Sequence, residues 1–313
     1  MRRRAAFIAA MLLVAVACDK TASETPAPAG PTLELDSIAD LVFSVSGSRT
    51  DPQMMPLAAV QGNRIVPLTL KPDDWKKFDA KYLAPGTSYT TYRDGRVTGT
   101  VTVTRGMWSG DPLYTLAGCA TPIPRAAVTL NDSTLDAFVV AQFATTRKTT
   151  EVPRSLGISA DSVREIAKRI AYEAGRGAKL VPASLDSLDF RAAAIATGTY
   201  FRPTIMSSFI DPRGGDLGPG RGNTAHVFVL ADNDSTGYKT SLAHVVNGDA
   251  ATAEYRAFVD HLDLNGDGVD EIMIDGWHYG SSTTTRVYAW RNGSWREVFA
   301  AASSWCMDAP VAK

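Results

Sequence analysis

The sequence predicts a mainly β protein, with strands in two stretches and one long helix between them. Three observations carry this. Asp94-Gly95 and Asn292-Gly293 each lie between β-prone runs, and both residues of such a pair accept the positive φ that a two-residue hairpin turn requires. Val101 and Val103 alternate with Thr100, Thr102 and Thr104, the period of a half-buried strand. Val163, Ile166, Ala167, Ile170, Ala171 and Ala174 recur at helical spacing. The chain has 313 residues, 45% of them hydrophobic and 21% charged, which excludes a wholly disordered chain and allows two domains with cores of their own. A net charge of −1 argues against a nucleic-acid partner, which selects a strong basic excess.

The first element is an address. Arg2, Arg3 and Arg4 precede 13 uncharged, mostly apolar residues, Ala5 to Ala17. That run falls short of the roughly 20 residues that span a bilayer, and its basic start reads as an export signal. Ala15-Val16-Ala17-Cys18 resembles a bacterial lipobox, with Ala15 where Leu is commonest. The resemblance implies removal of residues 1–17 and a diacylglycerol on the Cys18 thiol. An ordinary secretory signal and a buried N-terminal helix are the alternatives. Loss of residues 1–17 removes three arginines and no acid, taking the net charge from −1 to about −4. Asp19 resembles the inner-membrane retention signal of enteric lipoproteins. Residues 18–34, with Pro26, Pro28, Gly30 and Pro31, have the composition of a flexible tether.

Residues 35–150 form the expected N-terminal β domain. Leu57–Val60 and Ile65–Leu70 flank the turn Gln61-Gly62-Asn63-Arg64; Ser88–Tyr92 and Val97–Thr104 flank Arg93-Asp94-Gly95-Arg96. A short helix over Asp73–Tyr82 places Trp75, Phe78 and Tyr82 near one face, where core packing is their expected role. Residues 151–180 are the linker and helix: Ser159 caps the start, Asp161 suits the N-terminal dipole, and Gly175 and Gly177 are expected to stop it. The helix is expected to join the two β parts or to pack between them. Residues 181–313 return to strands, at His226–Leu230, Lys239–Val246, Tyr255–Leu262, Glu271–Ile274, Thr284–Trp290 and Trp295–Phe299.

Export sets the redox context. With Cys18 given to lipid, Cys119 and Cys306 remain as a pair in an oxidising compartment. They are expected to form a disulfide, for which the chain-entropy model gives roughly 4–5 kcal/mol. Two free buried thiols are the alternative.

The sharpest motif is residues 263–271, Asp-Leu-Asn-Gly-Asp-Gly-Val-Asp-Glu. Asp263, Asn265 and Asp267 place side-chain oxygens at alternate positions. Gly268 allows the bend that turns the Val269 carbonyl inward, and Glu271 supplies a far carboxylate. Calcium takes six to eight oxygens at about 2.3–2.6 Å, so this pattern points to a calcium loop; a solvated Asp/Gly turn is the alternative. Asp270 is expected to be a surface charge. The loop is not an EF-hand, because position twelve is Ile274 and the flanks read as strands.

The loop running into an apolar strand resembles the calcium loops of FG-GAP and VCBS repeats, the integrin-type β-propeller family. The resemblance covers about residues 260–300. It implies the ligands Asp263, Asn265, Asp267, Val269 and Glu271, and a blade-like C-terminal β domain with a calcium loop. Residues 195–207 can be laid on 262–274, matching Ile205-Met206 to Ile272-Met273 with the ligands gone. This suggests two blade-like units, or chance similarity. Two units cannot close a propeller, whose smallest form has four blades.

No His-Glu-x-x-His, Gly-x-Ser-x-Gly, Walker or Cys-x-x-Cys motif is present. Gly218–Gly222 reads as a surface loop. His226, His244, His261 and His278 lack paired metal spacing and read as ordinary strand or loop residues. Trp277/Tyr279 and Trp290/Trp295 suit either a sugar face or cross-strand packing. The expectation is an exported lipoprotein of the cell envelope, lipid-anchored and extracytoplasmic, at the periplasmic face or the cell surface. It would hold structural calcium and act as a non-enzymatic scaffold or interaction module toward a protein or glycan. An envelope glycan hydrolase using Asp211, Asp216, Asp232 or Asp234 in loop-like segments, or a soluble-ligand binder near Trp277, are the alternatives.

Overall fold

A computed structural model describes residues 32–48, 50–106, 124–132, 140–147, 156–211, 222–279 and 283–302. Cys18, Cys119, Cys306, Asp216 and most of the Gly218–Gly222 loop lie outside the described residues. The protein is mainly β, as the turn and alternation patterns predict. No helix among the described residues is long and apolar enough to cross a membrane.

The N-terminal strands are β1 (Asp40–Ser48), β2 (Asp51–Gln61), β3 (Arg64–Pro67), β4 (Ser88–Arg93), β5 (Arg96–Gly106), β6 (Ala126–Asp132) and β7 (Val140–Thr145). Their antiparallel order is β1-β7-β4-β5-β6-β2-β3. Because β1 also pairs with β2, six strands close on themselves, with β3 appended to β2. Closure removes the unpaired edges that an open sheet exposes. Alternation sorts the side chains: Leu41, Phe43 and Val45 fill the interior with Met54, Val101 and Val103, while Val42 points out. Helix α1 (Pro72–Tyr82) packs Trp75 and Phe78 into that interior, which confirms core packing as the role of these aromatics. The turn at Asp94-Gly95 has φ of 51° and 67°, the positive values its sequence predicts.

Helix α2 spans Ala160–Gly177, and the Ser159 side chain accepts the Ser162 amide at 3.2 Å as its cap. Gly175 lies inside the helix rather than ending it. A Cβ there would sit 3.3 Å from Leu180 and Leu185, so the glycine serves close packing against the chain that returns through α3 (Pro182–Leu185).

The C-terminal strands form two four-stranded antiparallel sheets. Sheet one is β8 (Asp189–Ile195), β9 (Thr204–Ile210), β10 (Asn223–Asp234) and β11 (Gly237–Asp249); sheet two is β12 (Glu254–Leu262), β13 (Glu271–His278), β14 (Thr284–Arg291) and β15 (Ser294–Ala302). Both connect neighbouring strands in sequence order. The loops 196–203 and 263–270 join the first two strands of each sheet, so the structure reproduces the sequence alignment: Ile195 and Leu262 end one strand, Thr204 and Glu271 begin the next.

The layers follow from alternation. Val227, Val229 and Ala231 of β10 face α2, while Phe228 and Leu230 face sheet two. In β13, Ile272 and Ile274 meet sheet one, whereas Met273 joins Val42, Val60, Tyr92 and Phe143 of the barrel. Sheet two is therefore sandwiched between barrel and sheet one. Helix α2 covers the outer face of sheet one and does not pack between the β parts, because its apolar stripe matches the odd-numbered face of β10.

Candidate metal centre

The loop 263–270 is organised by its own side chains. Asp263 accepts the amides of Gly266 at 2.6 Å and Gly268 at 3.0 Å. The Asn265 oxygen accepts the Asp267 amide at 2.8 Å, and Asp267 accepts the Val269 amide at 2.9 Å. Gly266 and Gly268 hold φ of 79° and 88°, a region costing an L-residue about 1–2 kcal/mol. Asp and Asn at these positions thus fold the chain into successive short turns, satisfying amides that a tight loop leaves without ladder partners.

Glu271 sits beneath this loop at the start of β13 and is 1% exposed. It accepts from the Leu264 amide at 2.9 Å and from the Asn265 carboxamide nitrogen, both neutral donors. Burial foremost, then repulsion from Asp267 and Asp263, pushes its carboxyl up to about 8. The Asn265 nitrogen also lies 3.1 Å from an Asp267 oxygen. Carboxylates of Asp267 and Glu271 therefore converge on one point, which a carboxamide fills. Turning that carboxamide would present its oxygen there instead.

Of the predicted ligands, the structure brings Asn265, Asp267 and Glu271 together and turns the Asp263 carboxylate onto the loop backbone. Among the described residues, no group of three or more His, Cys, Asp or Glu side chains is gathered closely enough to hold an ion. The donor set nevertheless fits calcium in kind: hard oxygens only, and a buried carboxylate that a cation would relieve. Asp263, Asn265, Asp267 and Glu271 would supply side-chain oxygens, and Val269 its carbonyl.

Asp270 corrects the expectation of a surface charge. It is 7% exposed, its carboxylate meets His261 Nδ1 at 2.7 Å, and its amide donates to the Thr197 carbonyl at 2.8 Å. The β13 register turns it opposite to Glu271, into the joint between the two loops and the barrel. The Asp94-Gly95 turn closes that joint: a Cβ on Gly95 would lie 2.6 Å from His261 Cε1 and 3.1 Å from Asp270 Oδ2. Arg147, just past β7, donates to the Leu264 carbonyl at 3.5 Å, and a Cβ on Gly266 would overlap its guanidinium. Arg291 reaches Asp267 at 3.4 Å. The loop is thus fixed against the barrel and both C-terminal sheets.

In comparisons with known proteins, no family model, no curated protein and no solved structure matches the chain.

The other candidates resolve as packing groups. His226 is fully buried, with Nδ1 donating to the Phe209 carbonyl and Nε2 accepting the Arg256 amide, both at 2.9 Å. Burial, then the neighbouring His244, pulls its pKa down to about 3. His244 donates to the Glu254 carbonyl at 2.8 Å, and burial lowers it to about 4. His278 bonds the Ala253 carbonyl at 3.1 Å. Trp290 and Trp295 are direct cross-strand partners, and Trp277 stacks on Tyr255.

Asp232 and Asp234 lie in β10, not in loops. Asp232 accepts from Thr199, Thr204, Ser241 and Trp295 Nε1, which occupies its oxygens and ties the two sheets together. Asp211 faces the Thr224 hydroxyl at 3.5 Å. Sequence spacing missed this hub, and it missed the ion network in which Glu254 pairs with Arg256 and Arg286 at 2.9 and 2.8 Å. Thr199, Thr204, Ser241 and Trp295 meet Asp232 from one loop and three other strands, so no local pattern announces them.

Proposed function

We propose that this chain is an exported lipoprotein, anchored through Cys18 to an envelope membrane, that uses a structural calcium ion in the loop 263–271 and acts as a non-enzymatic scaffold or interaction module. The observation that supports the ion most is the buried Glu271 carboxylate beside Asp267, reached among the described residues by neutral hydrogen-bond donors alone. Bringing a cation there would compensate the clustered negative charge and hold the start of β13. Because the same loop touches barrel and sheet one, the ion would stiffen all three bodies. The scaffold role is favoured over the hydrolase by the use of Asp232 as a four-donor hub and by the backbone carbonyls that His226, His244 and His278 bond.

The test is analysis of the full chain purified from the membrane fraction. The proposal expects a mature mass beginning at a diacylglycerol-modified Cys18, and about one calcium per chain bound in equilibrium dialysis against millimolar calcium. An unmodified Cys18, or a chain free of bound calcium in millimolar calcium, would overturn the corresponding half.

A further inference from the structure

The loop 196–203 occupies the place in sheet one that the ion loop occupies in sheet two. Where the ion loop has Asp267-Gly268, the alignment puts Tyr200-Phe201. Phe201 is 100% exposed and Tyr200 41%, and Arg202 beside them is exposed. This tip is firmly backed. Thr199 donates to Asp232 at 2.8 Å, Thr197 meets Thr204 at 2.8 Å, and Tyr238 donates to the Pro203 carbonyl at 3.0 Å. Tyr200 packs edge-on against Trp290, ring centroids 5.7 Å apart. Arg291, next to Trp290, reaches Asp267. One continuous rim therefore runs from Phe201 through Tyr200, Trp290 and Arg291 to the ion loop.

A rigidly presented phenylalanine in water forfeits the burial that a Phe side chain normally gains. Amphipathic aromatics flanked by arginine are the composition of a membrane interface, where rings lie at headgroup level. We propose that the tip Tyr200-Phe201-Arg202 seats in the headgroup boundary of the bilayer that carries the anchor, turning the ion-loop end of the body toward the lipid. This rests on the anchoring proposed above. From Cys18 to Leu33 the chain reaches at most about 50 Å, even fully extended, so the body that begins at Leu33 stays tethered to the bilayer. One inserted ring is too weak to recruit a free protein, but an anchored chain needs only an intramolecular contact. Headgroup phosphates suit Arg202 and Arg291.

The test places a reporter at the tip. Phe201→Trp in the full chain, reconstituted from the membrane fraction into phosphatidylcholine/phosphatidylglycerol vesicles, adds one tryptophan to the six already present. The unsubstituted chain supplies their background. With brominated acyl chains, the added emission should fall at least about twofold. Full emission with bromolipid would overturn the proposal, as would a blue-shifted, unquenched emission that depends on protein concentration, which would mean that another protein copy covers the tip. The mass of Cys18 in the same preparation separates the two readings. Acylated but unquenched protein defeats the tip contact alone; unmodified Cys18 defeats both.

Discussion

Gly95→Ala should destabilise this protein well beyond the usual consequence of adding a methyl at a left-handed glycine. Gly95 holds φ of 67°, so any L-residue there costs about 1–2 kcal/mol of backbone strain. In addition, the new Cβ would lie 2.6 Å from His261 Cε1 and 3.1 Å from Asp270 Oδ2. Either the hairpin tip lifts from sheet two, or the His261 ring leaves Asp270 and breaks a buried hydrogen bond of 2.7 Å. Such a charge-assisted bond is worth about 1.5–3 kcal/mol, for a total of roughly 3–5 kcal/mol. Gly62 is the internal control. Its φ is 63°, and a Cβ there meets nothing within 4 Å, so Gly62→Ala should show only the backbone cost of about 1–2 kcal/mol. Urea midpoints at unchanged m-value measure both. His261→Ala and Gly95→Ala combined should cost less than the sum of the two single changes. Equal destabilisation by the two glycine substitutions would refute the docking of this hairpin onto sheet two.

Two further outcomes follow from the same packing, and a third from the sequence alone. The depressed His226 and His244 stay neutral when folded, whereas unfolded imidazoles take a proton near 6.5. The stability they permit is thus complete above pH 6.5 and is lost as pH falls toward 4 and then 3. Ring shifts by NMR should stay constant for both between pH 8 and pH 5, and titration near 6.5 would contradict their burial. Asp232→Ala strands four donors and should destabilise by about 3 kcal/mol or more, with thermal melting as the measure; a change below about 1 kcal/mol would remove Asp232 as the hub. Peptide mapping without reductant should join Cys119 to Cys306, and free thiols at both in protein from the envelope would exclude the crosslink.

The mainly β class was legible because it is written in local patterns. Asp94-Gly95 and Asn292-Gly293 adopt the positive φ their chemistry favours, and Val101 and Val103 point inward as alternation requires. The correspondence of the loops 196–203 and 263–270 was legible in Ile205-Met206 and Ile272-Met273. What the sequence did not announce is set by contacts distant along the chain. Closure of the barrel depends on β1 pairing with both β2 and β7, and the place of α2 depends on which face of β10 is left to cover. The burial of Asp270 follows from a hairpin more than 160 positions away meeting His261, and Arg147 approaches the ion loop from the end of the barrel.

A calcium titration of thermal stability tests the ion loop most directly. Wild-type protein stripped by chelator should gain melting temperature as calcium is added, by about 1.4 kcal/mol of stability at ten times the dissociation constant. Asp263→Ala/Asp267→Ala should melt at one temperature whatever the calcium concentration. A flat wild-type response to 10 mM, roughly tenfold above the weak end for extracellular calcium sites, would contradict the ion loop, and so would an equal rise in the variant.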